Sequence, residues 1–262
     1  MLLVADIGNT SITIGVYEKE LLIHSWKIAS DKTKSEDEYG IVLSNLVKHE
    51  GFEGKIESAV IASVVLPITQ KFKTAVENYL KISVLVISSK INLDIKLDVE
   101  KPKEVGADRI ANACAANSLY KSPCVVVDFG TATTFDIVSA DGRFIGGIIA
   151  PGIGISAEAL SSFTSLLPKV RIDTPPSVIG RNTIDNMLSG LVRGHAAMID
   201  GLILDIEKEL GTKITTIATG GYSSIVTDCL KRPFDHLNQH LTLEGLRLIY
   251  ELNQLPRCKH TR

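Results

Sequence analysis

The first apolar run, Leu2 to Ala5, stops at Asp6, as a buried strand does when it ends at a polar edge. From Ser11 to Tyr17, Ile12, Ile14 and Val16 recur at every second position and predict a second strand; Leu21 to Ala29 predicts a third. Ser35 is placed to cap a helix through EDEYGIVLSNLVKH, with Ile41, Leu43, Leu46 and Val47 facing inward. A strand at SAVIASVV, a helix from about Pro67 and a strand at ISVLVI follow, so the first part reads β-β-β-α-β-α-β.

The Ala-rich run ADRIANACAANSLY then predicts a helix that ends near Ser122-Pro123. Beyond it, CVVVDFGTATTFDIVSADGRFIGGIIAPG gives a buried strand, a turn, a second strand, an Asp141-Gly142 hairpin and a third strand. Helices are expected at about Ile155 to Ser162 and Asn182 to Leu210, then a strand at KITTIATG, a helix after Gly220-Gly221 and a last helix at TLEGLRLIYELN. Aligned on their aspartates, VADIGNTSITIGV and VVDFGTATTFDIV share one plan: apolar strand, Asp, apolar residue, Gly, small polar residues, alternating strand. The chain reads as a duplication.

Composition narrows the partners. The 262 residues are 45% hydrophobic and 22% charged with a net charge of −2, so no basic surface recommends nucleic acid or an anionic membrane, and a small-molecule partner is expected. The most membrane-like stretch, FIGGIIAPGIGISAEAL, is short, broken by Gly and Pro, and bracketed by Arg143 and Glu158. Cys114, Cys124, Cys229 and Cys258 form no CxxC pair, and the six histidines form no HExxH or metal triad. No basic, signal-like N-terminus is present, and the expectation is a cytoplasmic protein with reduced thiols.

The two Asp-x-Gly turns hold the candidate chemistry. Gly8 and Gly130 let backbone approach a ligand, and Asn9, Thr10, Ser11, Thr131, Thr133 and Thr134 offer hydrogen-bond donors to phosphate oxygens. A single such turn could equally be an aspartate capping its own loop. Asp6 and Asp128, at strand ends, call for a cation or donors, and magnesium carried by a nucleotide suits them. Neither GxxxxGK[ST] nor a strand-linked GxGxxG is present. Gly220-Gly221, ahead of a helix, could offer flat backbone to a purine or simply start that helix. Asp108-Arg109, read alone, could be a base with an anion-binding partner, or a helix N-terminal Asp beside a surface Arg.

The blocks DIGNTSITIG, SEDEYG, IASVVLP, PKEVGADRIANA, VVDFGTATTFD, GGIIAPGIGIS, IGRNTIDNMLSG, ATGGYSS and LTLEGLRLIYELN resemble, in order and nearly end to end, those of the type III pantothenate kinases, within the actin-like ATPase and sugar kinase superfamily. The resemblance implies an α/β chain of two ribonuclease-H-like domains, 1–118 and 119–262, with a nucleotide cleft between them and a last helix free to pack back on the first. It implies ATP phosphate contacts from Asp6, Ile7, Gly8, Asn9, Thr10, Ser11, Ile12 and Thr13, an ATP contact from Thr131, and pantothenate contacts from Gly106, Ala107, Asp108, Arg109 and Thr183. Asp108 would accept the proton and Asp128 would hold a monovalent cation, potassium or ammonium. One position departs: Val99 stands seven residues ahead of Gly106, where the family usually has a substrate-contacting tyrosine. A homodimer with the substrate pocket at the subunit interface, Mg²⁺ with ATP, and phosphorylation of pantothenate to 4′-phosphopantothenate as the opening step of coenzyme A synthesis complete the expectation. Another small-molecule kinase of the superfamily, or a nucleotide-binding regulator without transfer activity, is the alternative.

Overall fold

A computed structural model describes residues 1–254, so Cys258, His260 and the terminal RCKHTR lie outside the described residues. The chain divides into two compact units; the first takes the N-terminal part to Ser118 together with the helix that begins at Leu241, and the second runs from Leu119 to His240.

In the first unit, β1 (Leu2–Ile7), β2 (Ser11–Glu18) and β3 (Leu21–Ala29) form an antiparallel meander. Then come α1 (Glu36–His49), β4 (Ser58–Ser63), α2 (Leu66–Ala75) with a π-helical turn (Val76–Leu80), β5 (Ser83–Val86), a two-residue β6 (Lys96–Leu97) and α3 (Ala107–Leu119). The sheet order is β3-β2-β1-β4-β5, with β1 parallel to β4 and β4 parallel to β5. Ser35 caps α1 in a reciprocal box: its hydroxyl accepts the Glu38 N–H while the Glu38 carboxylate accepts the Ser35 N–H, an arrangement that contributes about 1 kcal/mol. The inward face of α1 differs from the expectation. Tyr39, Leu43 and Val47, four apart, are buried, whereas Ile41 is 54% exposed because two residues carry it some 200° around the helix from Tyr39.

The second unit repeats the plan. Strands β7 (Cys124–Phe129), β8 (Ala132–Val138) and β9 (Arg143–Pro151) form the meander; α4 (Ile153–Phe163), α5 (Thr183–Leu188), a π-helical turn (Ser189–Arg193) and α6 (Gly194–Leu210) follow, then β10 (Thr215–Thr219), α7 (Ser223–Thr227) and a two-residue β11 (His236–Leu237). Within the unit the order is β9-β8-β7-β10-β11, with β10 parallel to β7 and β11. β1 and β7 share the same sequence of buried and half-buried positions, and the register of each meander slips at the equivalent point, between Val16 and Tyr17 and between Ile137 and Val138. That shared irregularity supports duplication more strongly than the motifs do.

The expected helix from Asn182 to Leu210 runs unbroken from Thr183 behind the Asn182 cap, with one π-helical turn (Ser189–Arg193) in its course. Residues Thr183–Leu210 are long and apolar enough to cross a bilayer, a feature the sequence reading missed, yet Met187, Leu191, Ala196, Ile199, Ile203 and Ile206 pack into the second unit's core. It is a core helix.

The last helix, α8 (Leu241–Gln254), packs against β1 and β4 in the first unit. Gly245 lets it approach α3 so closely that a Cβ there would strike the Ala111 carbonyl, and the Thr242 hydroxyl donates to Asn112 Oδ1 at 2.8 Å in the same seam. Because backbone, not a flexible side chain, blocks the space, Gly245→Ala should cost about 3 kcal/mol, read as a lower midpoint in urea at unchanged slope.

Candidate active site

At the end of β1, Asp6 is half-buried and stands opposite Thr13, and Ile7 opposite Ile12. The loop between them closes through the Gly8 N–H, which donates to the Ser11 carbonyl at 3.1 Å, leaving Asn9 and Thr10 exposed at the tip. Ser30, which follows β3, touches the loop twice: its hydroxyl donates to the Gly8 carbonyl at 2.6 Å and its N–H to the Thr10 carbonyl at 3.1 Å.

Asp108 is brought to the same end of the first sheet. The Val64 N–H, just past β4, donates to the Ile7 carbonyl at 3.2 Å, and a Cβ on Gly106 would lie 3.3 Å from Val64 Cγ1 while colliding with the Asp108 carboxylate. Thus a turn at residues 8–11 and a helix start at residue 107 share one neighbourhood through Val64. Asp108 Oδ1 accepts the Arg109 N–H at 2.8 Å. Burial raises the pKa of Asp108 above the aspartate value of 3.8, against the opposing pull of the Arg109 N–H and guanidinium. Ala107 is buried, Arg109 half-buried, and Val99 half-buried in the bend after β6.

The second turn is tighter by one residue. Asp128 stands opposite Thr134 and Phe129 opposite Thr133, so only residues 130–132 bridge the strands, and the Gly130 N–H donates to the Ala132 carbonyl at 3.1 Å. Gly220, at φ +88°, lies so near that a Cβ would come within 2.5 Å of Asp128 Oδ1 and 2.6 Å of the Phe129 nitrogen. The expected open glycine platform is therefore half spent on this contact, and only Gly221 is exposed. Gly152, just before α4, leaves no room for a side chain against the Gly130 and Thr131 carbonyls. His195 of α6 places Nε2 3.1 Å from the Pro151 carbonyl and 3.3 Å from Thr133 Oγ1, and burial lowers its pKa, which favours the uncharged ring. Thr183 is the exposed first residue of α5, behind the Asn182 cap.

Residues 2–205 match the family model of type III pantothenate kinase. Type III pantothenate kinases of Roseiflexus sp. and Dehalococcoides mccartyi are 44% and 43% identical to the chain over 255 residues, covering 97% of it and 100% and 97% of their own lengths. The chain belongs to the type III pantothenate kinase family. It is an enzyme that transfers a phosphoryl group from ATP to pantothenate, giving 4′-phosphopantothenate at the entry to coenzyme A synthesis. Among solved structures, a 2-dehydro-3-deoxygalactonokinase-like protein from Sinorhizobium meliloti matches at TM-score 0.62 and 12% identity over 100% of both chains. An activator of 2-hydroxyisocaproyl-CoA dehydratase from Clostridium difficile matches at 0.53 and 13%, covering 96% of this chain and 95% of its own. These likenesses show the actin-like ATPase and sugar kinase fold.

Within each unit, the structure gathers the turn of the kinase with its neighbours: Asp6 to Thr13 with Gly106 and Asp108 in one, Asp128 and Thr131 with Gly220 in the other. Ser30 and Gly152 escaped the sequence reading; the one available signal was that each follows the third strand of its repeat. Asp108 illustrates the cost of such a site. Its folded pKa is raised, so the ionised form costs stability above that pKa, and the penalty disappears below the unfolded pKa. Asp108→Asn should therefore melt higher than the parent at pH 7, with the difference shrinking to nothing as pH falls below the ordinary aspartate range in thermal scans.

Proposed function

We propose that the β1–β2 turn takes the ATP phosphates on the backbone and side chains of Asp6 to Thr13, and that Asp108 is the base for the pantothenate hydroxyl. The observation that supports this most is the neighbourhood of Gly106, which joins Asp108 through Val64 to the carbonyl that precedes the turn. A related fold, the Clostridium difficile activator, carries bound ADPNP, in keeping with a nucleotide at such turns. Gly106, Ala107, Arg109 and Thr183 would position pantothenate, Arg109 by paired hydrogen bonds to its carboxylate, and Thr131 would contact ATP.

In the transfer, the pantothenate oxygen forms its bond to the γ-phosphorus as the bond to ADP breaks, ADP departs with the bonding electrons, and the hydroxyl proton passes to an Asp108 oxygen. A base whose pKa is raised by burial accepts that proton more readily than an ordinary aspartate. Val99 leaves the place of the family's tyrosine without a hydroxyl.

Among the described residues no group of three or more His, Cys, Asp or Glu could hold a metal, so magnesium would arrive on ATP, with Asp6 beside it, and cancel phosphate charge. A monovalent cation, potassium or ammonium, would find oxygen ligands at the second turn, where the Asp128 carboxylate lies against Gly220 and the Gly130 and Thr131 carbonyls lie against Gly152.

A homodimer in the cytoplasm is part of the same reading. Phe163 of the second unit is 89% exposed at a hollow of about 660 Å³ that it lines with Ile155, Leu160, Met187 and Leu191, an apolar surface that a second copy would cover. In light scattering the parent should be dimeric, and Phe163→Glu should shift it to monomer.

The central test measures ADP release with Mg²⁺, K⁺ and ATP, with and without pantothenate. Asp108→Asn should lose about 10²–10⁴-fold in kcat, and the parent's kcat/KM for pantothenate should fall, as pH drops, at a higher pH than an unperturbed aspartate would produce. Turnover independent of pantothenate, or an undiminished Asp108→Asn enzyme, would sink the assignment.

A further inference from the structure

The Ser30 hydroxyl donates to the Gly8 carbonyl of the first turn at 2.6 Å. The Ser30 N–H takes the Thr10 carbonyl at 3.1 Å, so one residue holds two alternate peptide groups of a four-residue loop. A trans peptide is planar, with N–H pointing opposite to C=O. Fixing the Gly8 and Thr10 carbonyls toward residue 30 therefore aims the N–H groups of Asn9 and Ser11, which share those two peptides, away from it. Backbone N–H groups aimed to one side of a turn offer an anion positive partial charges and hydrogen-bond donors. Gly8's own N–H donates to the Ser11 carbonyl at 3.1 Å and closes the loop.

What anchors Ser30 is itself rigid. The next residue, Asp31, is gripped on both backbone groups by the Tyr39 hydroxyl, which accepts its N–H at 3.1 Å and donates to its carbonyl at 2.8 Å. Tyr39 is fully buried in the first unit's core with its ring edge-on to Phe72 at 5.7 Å. Lys71 of α2 adds bonds to the Lys32 and Lys34 carbonyls at 3.1 and 2.9 Å. The second turn lacks this device. Gly152 stands where Ser30 would, one residue past the third strand, and has no side chain to offer.

We propose that Ser30 is a positioning residue for phosphoryl transfer, whose hydroxyl locks the Gly8 peptide so that the first turn presents its N–H groups to the ATP phosphates. The inference rests on that turn being the phosphate site. The loop is already formed in the free protein, so losing the hydroxyl lets the Gly8 peptide rotate and weakens nucleotide binding without touching pantothenate.

The test is steady-state kinetics on the full-length enzyme for Ser30→Ala, Ser30→Thr and Asp6→Asn, with thermal melting as the check on folding and titration calorimetry with ADPNP as a direct measure. Ser30→Ala should raise KM for ATP and the ADPNP Kd about five- to tenfold, as the loss of one short hydrogen bond implies, with KM for pantothenate within about twofold of the parent. Ser30→Thr, which keeps the hydroxyl, should restore both. If Asp6→Asn weakens ATP binding and Ser30→Ala does not, the positioning role is wrong and the phosphate site stands. If neither variant affects ATP, both fall together. A Ser30→Ala protein that melts lower while both KM values rise equally would make Ser30 merely structural and also overturn the proposal.

Discussion

β1 has an antiparallel neighbour on one side and a parallel one on the other, and the chemistry depends on this arrangement. Pairing Asp6 with Thr13 across the hairpin and with Ala62 across the parallel seam leaves the end of β1 with two chains diverging: β2 begins there and β4 leaves for α2. Ligands of open α/β sheets sit outside the carboxyl ends of strands where neighbours part in this way. A slip of one residue in either seam would turn Asp6 to the other face of the sheet and remove it from the turn. The second sheet repeats the constraint with Asp128 between Thr134 and Thr219.

On this shared frame the two turns have diverged. The first has four residues, exposed at its tip and held from behind by a hydroxyl; the second has three, crowded by the backbone of Gly220 and Gly152. A loop fixed by one side chain keeps its peptide groups available to a ligand, whereas one fixed by close backbone contact concentrates carbonyl and carboxylate oxygens. In the proposed reading, phosphate takes the former surface and a cation the latter.

Asp108 shows the opposite economy. Burial works against its charge and the start of α3 works for it, and the outcome is a carboxylate more basic than usual. Gly106 is part of that outcome, because any side chain there would displace the carboxylate. Glycine at this position keeps the acid in place.

Much was legible in the order of residues alone: the paired strand-turn-strand motifs, the Ser35 capping box, the Asp141-Gly142 hairpin, the start of α5 at Asn182 and the family's blocks are all signals carried within a dozen neighbours. Propensity and period act over that range, so sequence by itself determined which elements form and which family they spell. Tertiary structure decided the rest. Ser30 and Gly8 are 22 residues apart and meet only because β2 and β3 pair in one register; Gly245 meets Ala111, and Gly106 meets Val64, across still longer separations. Even the facing of Ile41 out and Tyr39 in was settled by which surface α1 lays on the sheet. Contacts of this kind have no local code, since they depend on where whole elements pack, and packing is a property of the assembled fold.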